Sequence, residues 1–122
     1  MNPRMIVLAA AMLLAQAAPA VRAAPTPEAR AEIEHLLDHL AASPCEFWRN
    51  GSWHDADDAR KHIERKRAWL DRRGLADTPE HFIERAATKS ERSGKPYQVK
   101  CGQATVDAAS WFKLELERWR AR

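Results

Sequence analysis

The chain predicts an α+β fold that is mainly helical, with about four helices, a short two- or three-stranded antiparallel sheet and one disulfide. Three observations lead there. Apolar residues recur at three- and four-residue steps in separate stretches, helix-start signals precede them, and one Asn-Gly dipeptide and one alternating segment supply the strands.

At the amino terminus Arg4 precedes an apolar stretch from Met5 to Ala18 that ends in small residues. This is the pattern of a secretory signal peptide over residues 1–23. Cleavage at Val21-Arg22-Ala23 leaves residues 24–122 as a single small exported domain, and Ala18-Pro19-Ala20 is the alternative cut. No twin arginine precedes the apolar stretch and no cysteine closely follows the cut. The expectation is therefore the general secretory route and a periplasmic protein without a lipid anchor. No second apolar run of spanning length follows, so no membrane span is expected after cleavage.

The first helix starts at Thr26-Pro27-Glu28, which offers a threonine cap, proline at the first helical position and acid in the first turn. It runs to about Ala42, with Ile33, Leu36, Leu37 and Leu40 on one stripe, and Ser43-Pro44 closes it. Asn50-Gly51 then suits the positive φ angles of a tight turn, so the flanking Cys45–Arg49 and Ser52–His54 read as a hairpin. Asp55 caps a second helix that extends to Arg73, and Thr78-Pro79-Glu80 starts a short third one ending near Ala87. Residues 88–96 are small, polar and charged, hence an exposed loop. Tyr97, Val99 and Cys101 alternate with Gln98 and Lys100 as a strand with one buried face, able to pair with the Cys45 strand. A last helix from Val106 to Arg120 buries Ala108, Ala109, Phe112, Leu116 and Trp119.

Cys45 and Cys101 are the only two cysteines, without C-x-x-C spacing. In an exported chain they are expected to form a disulfide, stabilising the fold by about 4 kcal/mol in the chain-entropy model. The formal charge of +3 falls to +1 once Arg4 and Arg22 are removed, which argues against a nucleic-acid partner. Charge is nonetheless segregated. Residues 60–73 carry seven cations against two acids, while residues 24–59 carry eight acids against two cations. The basic stretch could dock an acidic or cell-envelope protein, or be a solvated face threaded with pairs such as Arg60 with Glu64 and Arg67 with Asp71.

Three groups of residues are candidates for chemistry. On the second helix His62 and Lys66 fall on the inward side with Ala59, Ile63 and Leu70, where they could wall a pocket for a small anionic ligand. The alternative is a histidine bonded to backbone and a lysine whose ammonium snorkels outward. The loop combines hydroxyls such as Ser90 and Ser93 with cations such as Arg92 and Lys95, the ingredients of an anion cradle, without P-loop or G-x-S-x-G spacing. Arg49 and Asn50 at the hairpin turn complete the candidate ligand-binding set of Arg49, Asn50, His62, Lys66, Ser90, Ser93 and Lys95. His35 and His39, one turn apart, project away from the apolar stripe toward solvent and lack a third ligand, so no metal site and no cofactor is expected. Trp48 and Trp53 flank the turn, either as an exposed platform or as core.

Glu32-Ile33-x-x-Leu36-Leu37, the segment Ser43 to Trp53, and the run from Phe82 to Cys101 together resemble the YfeK-like family of small exported proteobacterial proteins, a domain of unknown function. Ala59, His62, Lys66, Trp111 and Leu116 belong to the same match, and His54 departs from it, at a position where the family favours tyrosine. The resemblance implies a periplasmic setting and a shared compact fold; it implies no established activity and hence no catalytic residue. The resulting expectation is a non-enzymatic binding or accessory protein of the cell envelope. The alternatives are a small hydrolase or transferase pairing His62 with a loop serine, and an inhibitor of an exported enzyme.

Overall fold

A computed structural model of the chain describes residues 9–15 and 24–122. Both expected cleavage positions and Arg4 of the expected leader lie outside the described residues.

Chain order is α1 (Pro27–Ala41), β1 (Glu46–Arg49), β2 (Ser52–His54), α2 (Ala56–Asp71), α3 (Pro79–Ala86), β3 (Gln98–Cys101), β4 (Ala104–Asp107) and α4 (Ala108–Arg120). Three helices begin as their caps dictate, each cap side chain satisfying an amide that the first turn leaves without a partner. Thr26 Oγ1 accepts from the Ala29 N–H at 3.1 Å, an Asp55 carboxylate oxygen from Asp58 at 2.8 Å, and Thr78 Oγ1 from His81 at 3.0 Å. None of the described helices is long and apolar enough to cross a membrane.

The strands form one antiparallel sheet in the order β2-β1-β3-β4. Asn50 at φ 47° and Gly51 at φ 89° form the turn between β1 and β2, since both central positions of this hairpin type need positive φ. β3 lies beside β1 with Phe47 opposite Val99, and the Cys45–Cys101 disulfide joins the two strands at one end. The sheet has one strand more than the sequence reading allowed. Gly102, at φ 63°, turns the chain so that Ala104 pairs with Cys101, and the β-branched Thr105 and Val106 continue the ladder to Asp107. All four residues of β4 are exposed, so no buried face marked them as strand. Helix α4 consequently starts at Ala108, whose N–H bonds to the Tyr97 carbonyl at 2.9 Å, and not at Val106.

The core lies between the helices and the inner face of the sheet. Ile33, Leu36, Leu37 and Leu40 of α1 are fully buried against Phe82 and Ile83 of α3, Val99 of β3 and Phe112 of α4. The segregated charges meet across the α1–α2 contact: Arg60 pairs with Asp38, and Arg67 with Glu34. The pairs Arg60–Glu64 and Arg67–Asp71 within α2 also form. At the far end Arg120 of α4 bonds both Glu32 of α1 and Glu80 of α3.

The expectation for His35 and His39 needs correcting. They do not project into solvent, because α4 packs over that side of α1. The His35 ring stacks on Trp119 with centroids 3.7 Å apart and its Nε2 lies 2.8 Å from Glu115, while His39 lies against Trp111 at 4.5 Å. Burial pushes the His39 imidazole down, opposed by Glu115. Among the described residues no group of three ligating side chains is placed to hold a metal ion.

Candidate functional site

Four elements converge beside the β1–β2 turn. β1 supplies Arg49 at its last residue, the turn supplies Asn50, one side of α2 supplies His62 and Lys66 a helical turn apart, and the segment between α3 and β3 supplies Ser90 and Tyr97. Together with Ser52, His54, Glu91 and Arg92 they line a cleft of about 500 Å³.

The hydrogen bonds order the protons in this cluster. A guanidinium can only donate, so the Arg49 Nη1 contact at 2.5 Å makes His62 Nδ1 the acceptor and leaves the ring proton on Nε2. Nε2–H then donates to the Tyr97 hydroxyl at 3.0 Å, which also accepts from Lys66 Nζ at 3.1 Å. Tyr97 Oη is thereby filled as an acceptor, and its own proton is available to an acceptor in the cleft. Lys66 additionally donates to the Lys89 carbonyl at 3.0 Å and lies 4.9 Å from the Tyr97 ring centroid. Burial, reinforced by the Arg49 and Lys66 cations, pushes the His62 imidazole down to about 4. Burial likewise lowers the Lys66 ammonium, against Glu91, and raises the Tyr97 phenol. At neutral pH the imidazole is neutral and the phenol protonated.

The loop is tied to the hairpin by one side chain. Asn50 Nδ2 donates to Ser90 Oγ at 3.0 Å, and Ser93 Oγ donates to Asn50 Oδ1 at 2.6 Å. Ser90 Oγ also accepts from the Ser93 N–H at 3.4 Å, so its acceptor positions too are occupied while its proton remains to be donated. Although the stretch reads as an exposed loop, Ser90 is only 4% exposed. The Ser90 N–H bonds to the Lys95 carbonyl, and Lys89 bridges to Pro96, which folds the segment back on itself.

Arg49, Asn50, His62, Lys66 and Ser90 thus line one cleft. Ser93 holds Asn50 from outside the lining, and Lys95 is exposed, donating its backbone N–H to Ser93 Oγ. Cys45 and Cys101 form the disulfide at the other end of the strands. Arg92, one of the loop cations expected to form the cradle, is in the lining, whereas Tyr97 and Glu91 were not singled out by the sequence. For Tyr97 the signal was present, because a tyrosine on the buried face of a strand needs a partner for its hydroxyl. Glu91 reaches Lys66 at 3.8 Å from a largely exposed position at the rim. On the hairpin strands Trp53 is 41% exposed, opposite the half-buried Trp48.

Comparison with known proteins places this chain in a group. The pattern of the Family of unknown function (DUF5329) matches residues 27–120, from the first residue of α1 to the last of α4. The chain belongs to that family. The DUF5329 chain is also similar to the uncharacterized protein YfeK of Salmonella typhimurium (strain LT2), with 37% identity over 68 residues. That stretch is 55% of this chain and 55% of the relative, so the match spans about half of the relative's length. The resemblance read from the cysteine segments is thereby confirmed. No solved structure matches the DUF5329 chain.

Proposed function

We propose that this DUF5329 protein is a non-enzymatic binding protein of the periplasm, and that its cleft holds a small anionic ligand or an anionic group of a cell-envelope component. The leader-like residues 1–23 and the cysteine pair support export. One observation carries the ligand class: four of the polar groups converging on the cleft, Arg49, Lys66, Tyr97 and Ser90, are donors without a free acceptor atom. Arg49 and Lys66 can only donate, and Tyr97 and Ser90 each accept two hydrogen bonds and keep a proton to give. A carboxylate or phosphate supplies the acceptors such a set lacks. Glu91 at the rim is the nearest substitute that the chain itself offers Lys66.

Pairing of His62 with a loop serine gains no support. Both imidazole nitrogens are engaged, by Arg49 and Tyr97, and the two serine hydroxyls are engaged by Asn50. Titration of the folded domain with acetate, N-acetylglycine and inorganic phosphate, followed by amide and imidazole chemical shifts, tests the proposal. Saturable shifts at His62, Tyr97 and Ser90 that weaken about tenfold in Arg49→Met are expected, as for loss of one charge-assisted hydrogen bond. Absence of saturable shifts with every anion, in a protein that remains folded, would overturn it.

A further inference from the structure

The anion cleft continues along α2. His62, Lys66 and Glu91 also border a second recess of about 730 Å³, whose lining includes Trp69, Leu70 and Leu75. His62, Lys66, Trp69 and Leu70 follow one another at helical spacing on a single face, and the seven residue steps from His62 to Trp69 rise about 10 Å. Trp69 is 48% exposed. The Arg73 guanidinium sits 3.8 Å from its ring centroid and bonds its carbonyl at 2.8 Å, which holds the indole in place without enclosing it. The exposed, braced indole with Leu70 and Leu75 forms the apolar wall of a recess otherwise bordered by charged side chains such as Arg65, Arg85 and Lys89, and it is continuous with the cleft that holds Arg49 and Lys66.

Building on the anion reading, we propose that the two recesses take one ligand, a small amphipathic carboxylate. Its carboxylate is held by Arg49, Lys66 and Tyr97, and an aromatic or branched aliphatic body about 10 Å long lies along Trp69, Leu70 and Leu75. Charge complementarity fixes one end, and burial of apolar area against the indole adds affinity that a bare anion cannot gain. Glu91 stands where the two recesses meet and gives up its contact with Lys66 to the incoming carboxylate.

Three probes separate the two ends: N-acetylglycine, N-acetyltryptophan and N-acetyltryptophanamide, titrated calorimetrically into the folded protein. N-acetyltryptophan is expected to bind about tenfold more tightly than N-acetylglycine, as burial of a ring implies, and the neutral amide not measurably. In Trp69→Ala the advantage should fall below about twofold and in Trp69→Phe largely return, because the ring and not the indole N–H is used. Trp69 lies outside the buried core, and an unchanged melting temperature verifies that these variants fold. Equal affinity for the two acids, an advantage that survives Trp69→Ala, or binding of the amide as tight as the acid would each overturn the extended site. Failure of both acids to bind would instead overturn the anion site beneath it.

Discussion

A single imidazole shows how much one residue carries here. His62 accepts from a guanidinium, so protonation at Nδ1 would set two cations against each other and cost the Arg49 bond. In the unfolded chain the imidazole titrates near 6.5, and in the fold near 4. Between those values the unfolded state binds more protons, so this residue's contribution to stability is complete above pH 6.5 and is lost as pH falls toward 4. With solvent screening discounted, the loss amounts to about 1–2 kcal/mol. Urea unfolding at pH 5 and pH 7 should show a drop in the native protein larger than that in His62→Gln by this amount; equal drops would contradict it. Glu91 is the complementary case. Glu91→Gln removes the carboxylate competing for Lys66 and should tighten acetate or N-acetylglycine binding by about threefold, the scale of an exposed ion pair, measurable by calorimetry. The sequence identified Arg49, His62 and Lys66 because helical spacing and a turn dipeptide expose anomalies on an apolar side. It did not identify Tyr97, because alternation says that a side chain is buried without saying which hydroxyl, ring or cation meets it from another element.

Among the elements, the hairpin turn and the 88–96 loop act as one unit through Asn50. Because Asn50 has positive φ, replacement by alanine would mix backbone strain with lost hydrogen bonds, whereas Asn50→Gly removes only the amide side chain. That variant should lose about 1–2 kcal/mol of stability and raise amide exchange at Ser90 and Gly94, with the rest of the sheet unaffected. Unchanged exchange in the loop would mean that its backbone bonds alone hold it. The caps of α1, α2 and α3 were readable from single residues, since capping is chemistry within one turn of chain. β4 was not, because its ladder depends on β3 and its side chains bury nothing; β-branching at Thr105 and Val106 was its only local mark. The solvent position expected for His35 and His39 failed for a related reason: the helical stripe identifies the most buried side of α1 but not that α4 covers the flank beside it.

For the molecule as a whole, the segregation of charge becomes internal complementarity. Acids of α1 meet cations of α2 through Asp38–Arg60 and Glu34–Arg67, so part of the basic face is neutralised by the chain itself. The disulfide closes a loop that contains both ends of the binding cleft's scaffold, since Cys45 leads into β1 and Cys101 ends β3. The Cys45→Ala, Cys101→Ala double variant should lose about 4 kcal/mol in denaturant unfolding if loop closure in the unfolded chain is the cause. A loss under about 1 kcal/mol would show that the sheet pairing needs no covalent help. The number and order of the helices and the cysteine pairing were legible from end to end of the sequence. The contact between α1 and α2, which brings the two charge blocks together, was not, because periodicity carries no information about which helix lies beside which.

The cleft draws its walls from residues 49–54, 62–66 and 90–97, which become neighbours only when the hairpin, α2 and the segment before β3 are assembled. No single element presents the whole surface, so ligand occupancy is thermodynamically linked to unfolding of the domain and to opening of the loop that carries Ser90. Any molecule the cleft accepts stabilises the folded domain, by about 2.7 kcal/mol at a hundredfold excess over Kd. A melting-temperature survey of amphipathic carboxylates can therefore test the proposed ligand class without an assay for what the protein does.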